Sequence, residues 1–163
     1  MILPIKVWPD PILMKPCQPW DFEDPPLVVN FLMADMIETM AKSGGIGLAA
    51  NQVGISYRVI AMHVQETGEY ITLFNPEIVS VSELQYIAME GCLSFPKVML
   101  DISRPKTVEI RYVDHFEREY TRTFSDIDAK CVLHEIDHLD GKTFKEYVSP
   151  LKFSRAIEKG RKR

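Results

Sequence analysis

His134 and His138 stand four residues apart, and Glu135 follows the first directly. On a helix that spacing stacks both imidazoles on one face, one turn apart, where they can grip a single metal ion. A carboxylate at Glu135 would project beside the pair, placed to hold a water and move its proton. Isolated histidine pairs are often only surface or core residues. The acid directly after the first His, with a second at Asp137, turns the reading toward metal. Two imidazoles are too few, because a catalytic zinc-type centre takes three protein ligands and keeps a fourth position open. Cys131 shares the helix face with them. A row at i, i+3 and i+7, however, sets all three ligands along one straight edge, a poor match to a tetrahedron. Cys92 lies in Glu90-Gly91-Cys92-Leu93-Ser94-Phe95-Pro96, where a Gly frees the backbone and a Pro ends the run. It is the better third ligand, although a free Cys is most often just a buried thiol.

The elements that must position these residues can be read from periodicity. Ser125, with Asp128 three residues on, forms an acidic variant of a capping box. Ile127, Cys131, His134 and Leu139 keep near-helical spacing, and Gly141 supplies the stop. A second helix spans about 25–42, where Val29, Leu32, Met33, Met36, Ile37 and Met40 make one apolar stripe and Gly44-Gly45 ends it. Methionines at that spacing read as core rather than as a ligand site. Gly45-Ile46-Gly47 begins a short extended run whose backbone can approach a ligand closely. It lacks the residues of a phosphate-binding loop. Strands are expected at 57–63, 70–74, 77–81, 86–90, 98–102, 108–113 and 119–124, the last two as a hairpin. Short strands with no helices between them pair antiparallel. The fold class is therefore α+β: antiparallel sheets packed around a central metal-binding helix, with an N-terminal helix and a short C-terminal one. Residues 1–20 hold five prolines and read as an extended arm anchored by Val7, Trp8, Ile12 and Leu13. Ser149-Pro150 starts a last helix of about ten residues, with Phe153, Ala156 and Ile157 as its apolar edge and Gly160 as its end. Cys17, His63 and His115 have no partner at metal-binding spacing and read as structural or surface residues.

A chain of 163 residues, 46% hydrophobic and 26% charged, suits one domain over 1–163. No apolar run approaches the roughly 20 residues of a membrane span, and the first residues do not have the pattern of a secretory signal. Three widely spaced cysteines make no disulfide framework, which fits a reducing compartment. The expected location is the cytoplasm. Alternatives are a plastid or mitochondrion after loss of a transit peptide, or the cytoplasm of an infected bacterium if the chain is phage-encoded. Residues 151–163 carry a net +5 on a chain at −4, leaving −9 for the rest. An acidic body argues against a general nucleic-acid-binding face, while the tail can still meet a polyanion.

Taken together, Gly45-Ile46-Gly47-Leu48-Ala49-Ala50-Asn51-Gln52, Glu90-Gly91-Cys92-Leu93-Ser94 and His134-Glu135-Ile136-Asp137-His138 resemble the three signature motifs of peptide deformylases, in order and at the usual spacings. Pro9-Asp10-Pro11-Ile12-Leu13 extends the likeness toward the start, and only about the last fifteen residues fall outside it. The resemblance implies hydrolysis of the formyl group from nascent peptides that begin with formyl-methionine, releasing formate. Cys92, His134 and His138 would hold the metal. Glu135 would take a proton from water and deliver it to the departing amine, while the Gln52 amide and the Leu93 backbone N–H meet the oxyanion. Peptide backbone would pair with edges near Gly45-Ile46-Gly47 and Glu90-Gly91. The methionine side chain would enter a pocket including Ile46, Ile127, Cys131 and His134. Asp137 and Arg104 could pair behind the ligands. Lys130 stands where several relatives have an apolar residue, and Met99 where some have an arginine. Both would act on affinity and sequence preference and not on the chemistry. The ligand set suits zinc by softness, yet the resemblance implies Fe²⁺ in the cell, with Zn²⁺, Ni²⁺ or Co²⁺ possible in isolated protein. A monomer is expected, with ribosome docking through the short basic C-terminal helix and tail. The rival readings are a zinc endopeptidase sharing H-E-x-x-H, a structural metal domain and an inactive relative.

Overall fold

Periodicity of two along the middle of the chain and of three to four at its ends sorts the elements of the computed structural model, which describes residues 1–163. After an extended arm come α1 (Val29–Lys42), β1 (Gly47–Ala49), β2 (Val59–His63), β3 (Tyr70–Val81), β4 (Gln85–Cys92), β5 (Phe95–Pro105), β6 (Thr107–Val113), β7 (Glu119–Ser125), α2 (Asp126–Leu139) and α3 (Pro150–Arg161). Five strands form one sheet in the order β1-β2-β3-β6-β7, and β4 pairs with β5 in a second, two-stranded sheet. Every pairing between these strands is antiparallel. The fold is α+β.

Alternation along β2 splits the core. Val59 and Ala61 face α1, where Leu32, Met36 and Met40 cover them with Phe74. Ile60 and Met62 face α2 and meet Val132, Leu133 and Ile136. A third cluster joins Phe95, Leu100 and Ile102 of β5 to Phe144 and to Phe153 of α3, with Trp8 of the arm packed against it. Helix α2 thus lies between the large sheet and β5, and eleven of its residues are buried.

Several details differ from the sequence reading. Segments 70–74 and 77–81 are one strand, because Asn75 takes a left-handed φ of 51° and a register shift there absorbs Pro76. Strands β4 and β5 run longer than expected, and Pro96 sits inside β5 instead of ending a run. A proline is tolerated in a strand with one paired edge. Ser125 occupies the N-cap of α2 without a side-chain bond. Asp128 turns away from it and accepts from the backbone N–H groups of Gln65 and Glu66 at 2.7 and 3.0 Å. In the arm Leu13 is fully buried, but Val7 is exposed and anchors nothing. Gly160 does not end α3, which continues to Arg161. A Cβ at Gly160 would collide with the carbonyl of Lys97, so the glycine lets the helix lie directly on β5. Gly141, at φ 76°, does stop α2, and the arm at Met14 and Lys15 crosses it too closely for a side chain.

Candidate metal centre and active site

The end of β4 and the middle of α2 bring three donors together. Ligand atoms of Cys92, His134 and His138 all lie within 4.8 Å of one another, and the Cys92 Sγ is 3.3 Å from His138 Nε2. Cys131 stands apart from this group, its Sγ directed at the Ile46 carbonyl 3.5 Å away. One sulfur and two imidazoles suit a borderline divalent ion. Burial disfavours a charged His134, but Cys92 and Glu90 outweigh it and hold the imidazole well above its ordinary pKa. Burial and then the neighbouring His134 push His138 well below. His138 is pinned from behind, where Asn51 Nδ2 donates to its backbone carbonyl at 2.7 Å.

Glu135 lies against the same cluster, 4% exposed, with Oε1 3.8 Å from His134 Nε2. Its Oε2 is buried without a hydrogen-bond partner, an unusual state that marks a place for a ligand or water. Burial drives the carboxyl up to about 7. A group balanced there can both accept and return a proton at neutral pH.

Gln52, in the 3-10 turn Ala50–Val53, has its amide fixed in one orientation. Its Oε1 accepts from the Ala49 N–H at 2.9 Å. Its Nε2 donates to Ser94 Oγ at 3.1 Å and lies 3.6 Å from the Cys92 sulfur. The donor end therefore faces the metal cluster. Leu93 opens the turn between β4 and β5, directly after Cys92.

Behind the donors lies a buried ionic group that sequence reasoning saw only in part. Glu90 was expected to offer backbone to a peptide; its side chain, for which no role was expected, turns inward and is 7% exposed. Glu90 Oε1 meets His134 Nδ1 at 2.7 Å. The Arg104 guanidinium donates to both Glu90 oxygens, at 2.6 and 3.0 Å, and to Asp137 at 2.9 Å. Burial alone would raise the Glu90 carboxyl, yet His134 and Arg104 hold it far below the usual range. Tyr147 completes the group, donating to Asp137 at 2.7 Å while Arg104 lies over its ring. Lys130 was read as remote from the chemistry. It is 2% exposed, with Nζ 2.9 Å from Glu90 Oε2 and donating to the Ile102 carbonyl. Its place four residues before His134, on one helix face, was the signal.

A cleft of about 450 Å³ opens onto these groups. Gly47 of β1, with Gly45 and Ile46 just before it, lines the cleft together with Glu90 and Gly91 of β4 and Ile127 and Cys131 of α2. Strand β1 is the end strand of its sheet, and β4 pairs only with β5. Each therefore has one edge not paired to another strand of its sheet, as strand addition requires. Helix α2 approaches β1 closely, since a Cβ at Gly47 would lie 2.6 Å from Cys131 Sγ and 3.0 Å from Glu135 Cγ. The remaining histidines lie elsewhere, His63 stacked on Tyr70 and His115 against Phe116.

Comparison with known proteins gives one answer. The family model described as Polypeptide deformylase matches residues 2–154. A peptide deformylase of Bartonella henselae is 37% identical over 163 residues, covering 98% of this chain and 92% of that protein. Peptide deformylase 1 of Ralstonia nicotianae is 41% identical, covering 94% and 90%. Among solved structures, a peptide deformylase from Legionella pneumophila superposes with a TM-score of 0.90 at 36% identity, covering 99% of this chain and 95% of that one. One from Synechococcus elongatus, in complex with actinonin, gives 0.89 at 33%, covering 96% and 86%.

Proposed function

The chain belongs to the polypeptide deformylase family, and we propose that Cys92, His134 and His138 hold its metal while Glu135 moves the proton in the reaction. It is a metal-dependent hydrolase that removes the formyl group from the N-terminal methionine of newly made polypeptides. The observation that carries the residue assignment is the meeting of one sulfur and two imidazoles beside a buried carboxylate with an unpartnered oxygen, in the lining of a cleft that β1 and β4 flank.

Cys92, His134 and His138 would hold the divalent ion, which would supply Lewis acidity toward the formyl carbonyl and toward water near neutral pH. The residues do the rest. The peptide lies extended between β1 and β4, its backbone bonding near Gly45, Ile46 and Gly47 and near Glu90 and Gly91, with the methionine side chain against Ile127 and Cys131. Glu135 accepts the proton of the attacking water. It returns that proton to the departing amine, a double duty suited to a carboxyl near pH 7. Gln52 Nε2, which lies 3.6 Å from the Cys92 sulfur, and the Leu93 N–H are assigned to the oxygen that becomes negative. His134, bonded through Nδ1 to Glu90, presents Nε2 to the ion.

Formate released from formyl-Met-Ala, with no cleavage of an internal peptide bond, tests this reading against the zinc-endopeptidase alternative, which the family match does not favour. Cleavage of the internal bond would reverse it. For the metal we assign Fe²⁺ in the cell, with Zn²⁺, Ni²⁺ or Co²⁺ replacing it in isolated protein, as a thiolate-containing donor set permits. Metal analysis of protein purified without oxygen checks this, and zinc as the dominant ion would refute it. The basic α3 and tail, with Lys152, Arg155, Lys159, Arg161, Lys162 and Arg163, are assigned to ribosomal RNA, on an otherwise acidic chain. Sedimentation with ribosomes should then fall steeply with salt and with removal of residues 149–163. Equal sedimentation of whole and shortened protein would refute the tether.

A further inference from the structure

We propose that Lys130 is a positioning residue of the metal centre, whose charge acts through Glu90 to limit electron donation by His134. The inference rests on the ligand assignment above. Glu90 and Asp137 bring two negative charges, and Arg104 and Lys130 two positive ones, around a single carboxylate that touches a ligand imidazole. The side chains of Glu90, Arg104 and Lys130 are 6%, 3% and 2% exposed, so water screens them little. With Lys130 the group is neutral. Without it, the same carboxylate sits in a group of net −1, its Oε1 still 2.7 Å from His134 Nδ1.

That difference reaches the ligand. A carboxylate that accepts from the far nitrogen of a ligand histidine raises the basicity of the near one, and such partners tune both affinity and reactivity. Each cation placed on the carboxylate weakens the effect. Arg104 spans both Glu90 oxygens, while Lys130 Nζ takes Oε2 at 2.9 Å, leaving His134 the opposite oxygen. The ammonium is fixed by its second bond, to the Ile102 carbonyl of β5, so it cannot swing into the cleft. The cleft it lines is left the methylene stem, as for other amphipathic side chains. In this way α2 places an apolar wall and a tuning charge with one residue.

The sign of the effect makes the proposal testable. Removing the charge should make His134 a better donor and the ion more tightly held, though less electrophilic. A merely structural lesion would loosen the site and release metal faster. The experiment uses the cobalt-loaded full chain as parent, Lys130→Met, Lys130→Gln and Lys130→Arg. It follows metal release to a chelator, the thiolate–cobalt absorption band, urea unfolding, and kcat and KM on formyl-Met-Ala. Lys130→Met and Lys130→Gln should each release Co²⁺ about tenfold more slowly, with a shifted band and a kcat lowered about tenfold. Lys130→Gln can still donate a hydrogen bond, so agreement between the two isolates charge. Lys130→Arg should return the parent values. Release as fast as the parent's, or faster, in both neutral variants overturns the proposal, as does an effect confined to KM. A parent that binds no cobalt through sulfur overturns the ligand assignment and the proposal together.

Discussion

Gly47→Ala puts a single methyl group between β1, the edge strand proposed to receive the peptide, and the helix that carries Glu135, the proposed proton-transfer residue. The added Cβ would lie 2.6 Å from Cys131 Sγ, 3.0 Å from Glu135 Cγ and 3.2 Å from Glu135 Cδ. Comfortable contacts between such atoms are about 3.5–4.0 Å, so strand and helix must part by roughly 1 Å or the two side chains must turn. Neither is easy. Cys131 and Glu135 are both buried, on a helix whose other side is packed on β5. Overpacking of this kind costs about 1–3 kcal/mol, which for a chain of this size lowers Tm by roughly 2–12 °C. The chemistry should suffer more specifically. A shift of about 1 Å at a catalytic group costs on the order of 10²-fold in rate.

The two contacts can be separated. In Gly47→Ala/Cys131→Ala the sulfur is gone, so stability should recover in part, while the methyl still presses on Glu135 and activity should stay low. Formate release from formyl-Met-Ala gives kcat and KM, and urea unfolding of both variants and of Cys131→Ala closes the cycle. Gly47→Ala with parental activity and parental stability would refute the close approach of α2 to β1. A double variant with full activity would show that Glu135 was never displaced.

Glu135→Gln should lower kcat by about 10²–10⁴-fold while the metal content stays at parental level, because the carboxylate is assigned to proton transfer and not to ligation; metal loss equal to that of His134→Ala would reverse the roles. Cys92→Ser should weaken metal binding, since a hydroxyl replaces a soft thiolate, whereas Cys131→Ser should keep the metal; the opposite pattern in metal analysis would make Cys131 the ligand. Gly160→Ala should destabilise the protein by about 1–3 kcal/mol as α3 is pushed off the Lys97 carbonyl. The hydrolysis rate per folded molecule should be unchanged, and a loss of kcat in fully folded protein would tie α3 to the active site.

What the sequence revealed, and what it hid, follows from where each residue finds its partner. Strand alternation and the α1 stripe are local signals: the helix carries that stripe but begins at Val29 and not near 25, and the strands fall in the expected segments with different ends, β4 and β5 running longer. The split expected between 74 and 77 failed because one left-handed residue, Asn75, carries the strand past Pro76. Its side chain is held by the arm, where Asn75 Oδ1 accepts from the Trp20 N–H at 2.7 Å. No local pattern announces that. Likewise the Ser125–Asp128 spacing matches a capping box, but Asp128 is taken by two backbone donors more than sixty residues earlier in the chain.

Helix α2 shows the limit most sharply. Amphipathic periodicity assumes one wet face, and α2 has almost none, being covered by the large sheet on one side and β5 on the other. Its polar residues therefore cannot be sorted by face into solvent and core. Each must be matched to a partner on another segment, or remain costly. Asp128 is matched by the β2–β3 connection, Lys130 by Glu90 and Ile102, and Asp137 by Arg104 and Tyr147. His134 is matched at Nδ1 by Glu90, leaving Nε2 for the donor cluster. The exceptions are Glu135 Oε2 and His138 Nδ1, both buried and unpartnered. In a helix where every other buried charge has been answered, an unanswered carboxylate oxygen beside Cys92, His134 and His138 supports the proton-transfer role proposed for Glu135. Periodicity placed Glu135 next to the histidines, but only the surrounding matches distinguish it from Lys130 and Asp137 as the residue with a buried, unpartnered carboxylate oxygen.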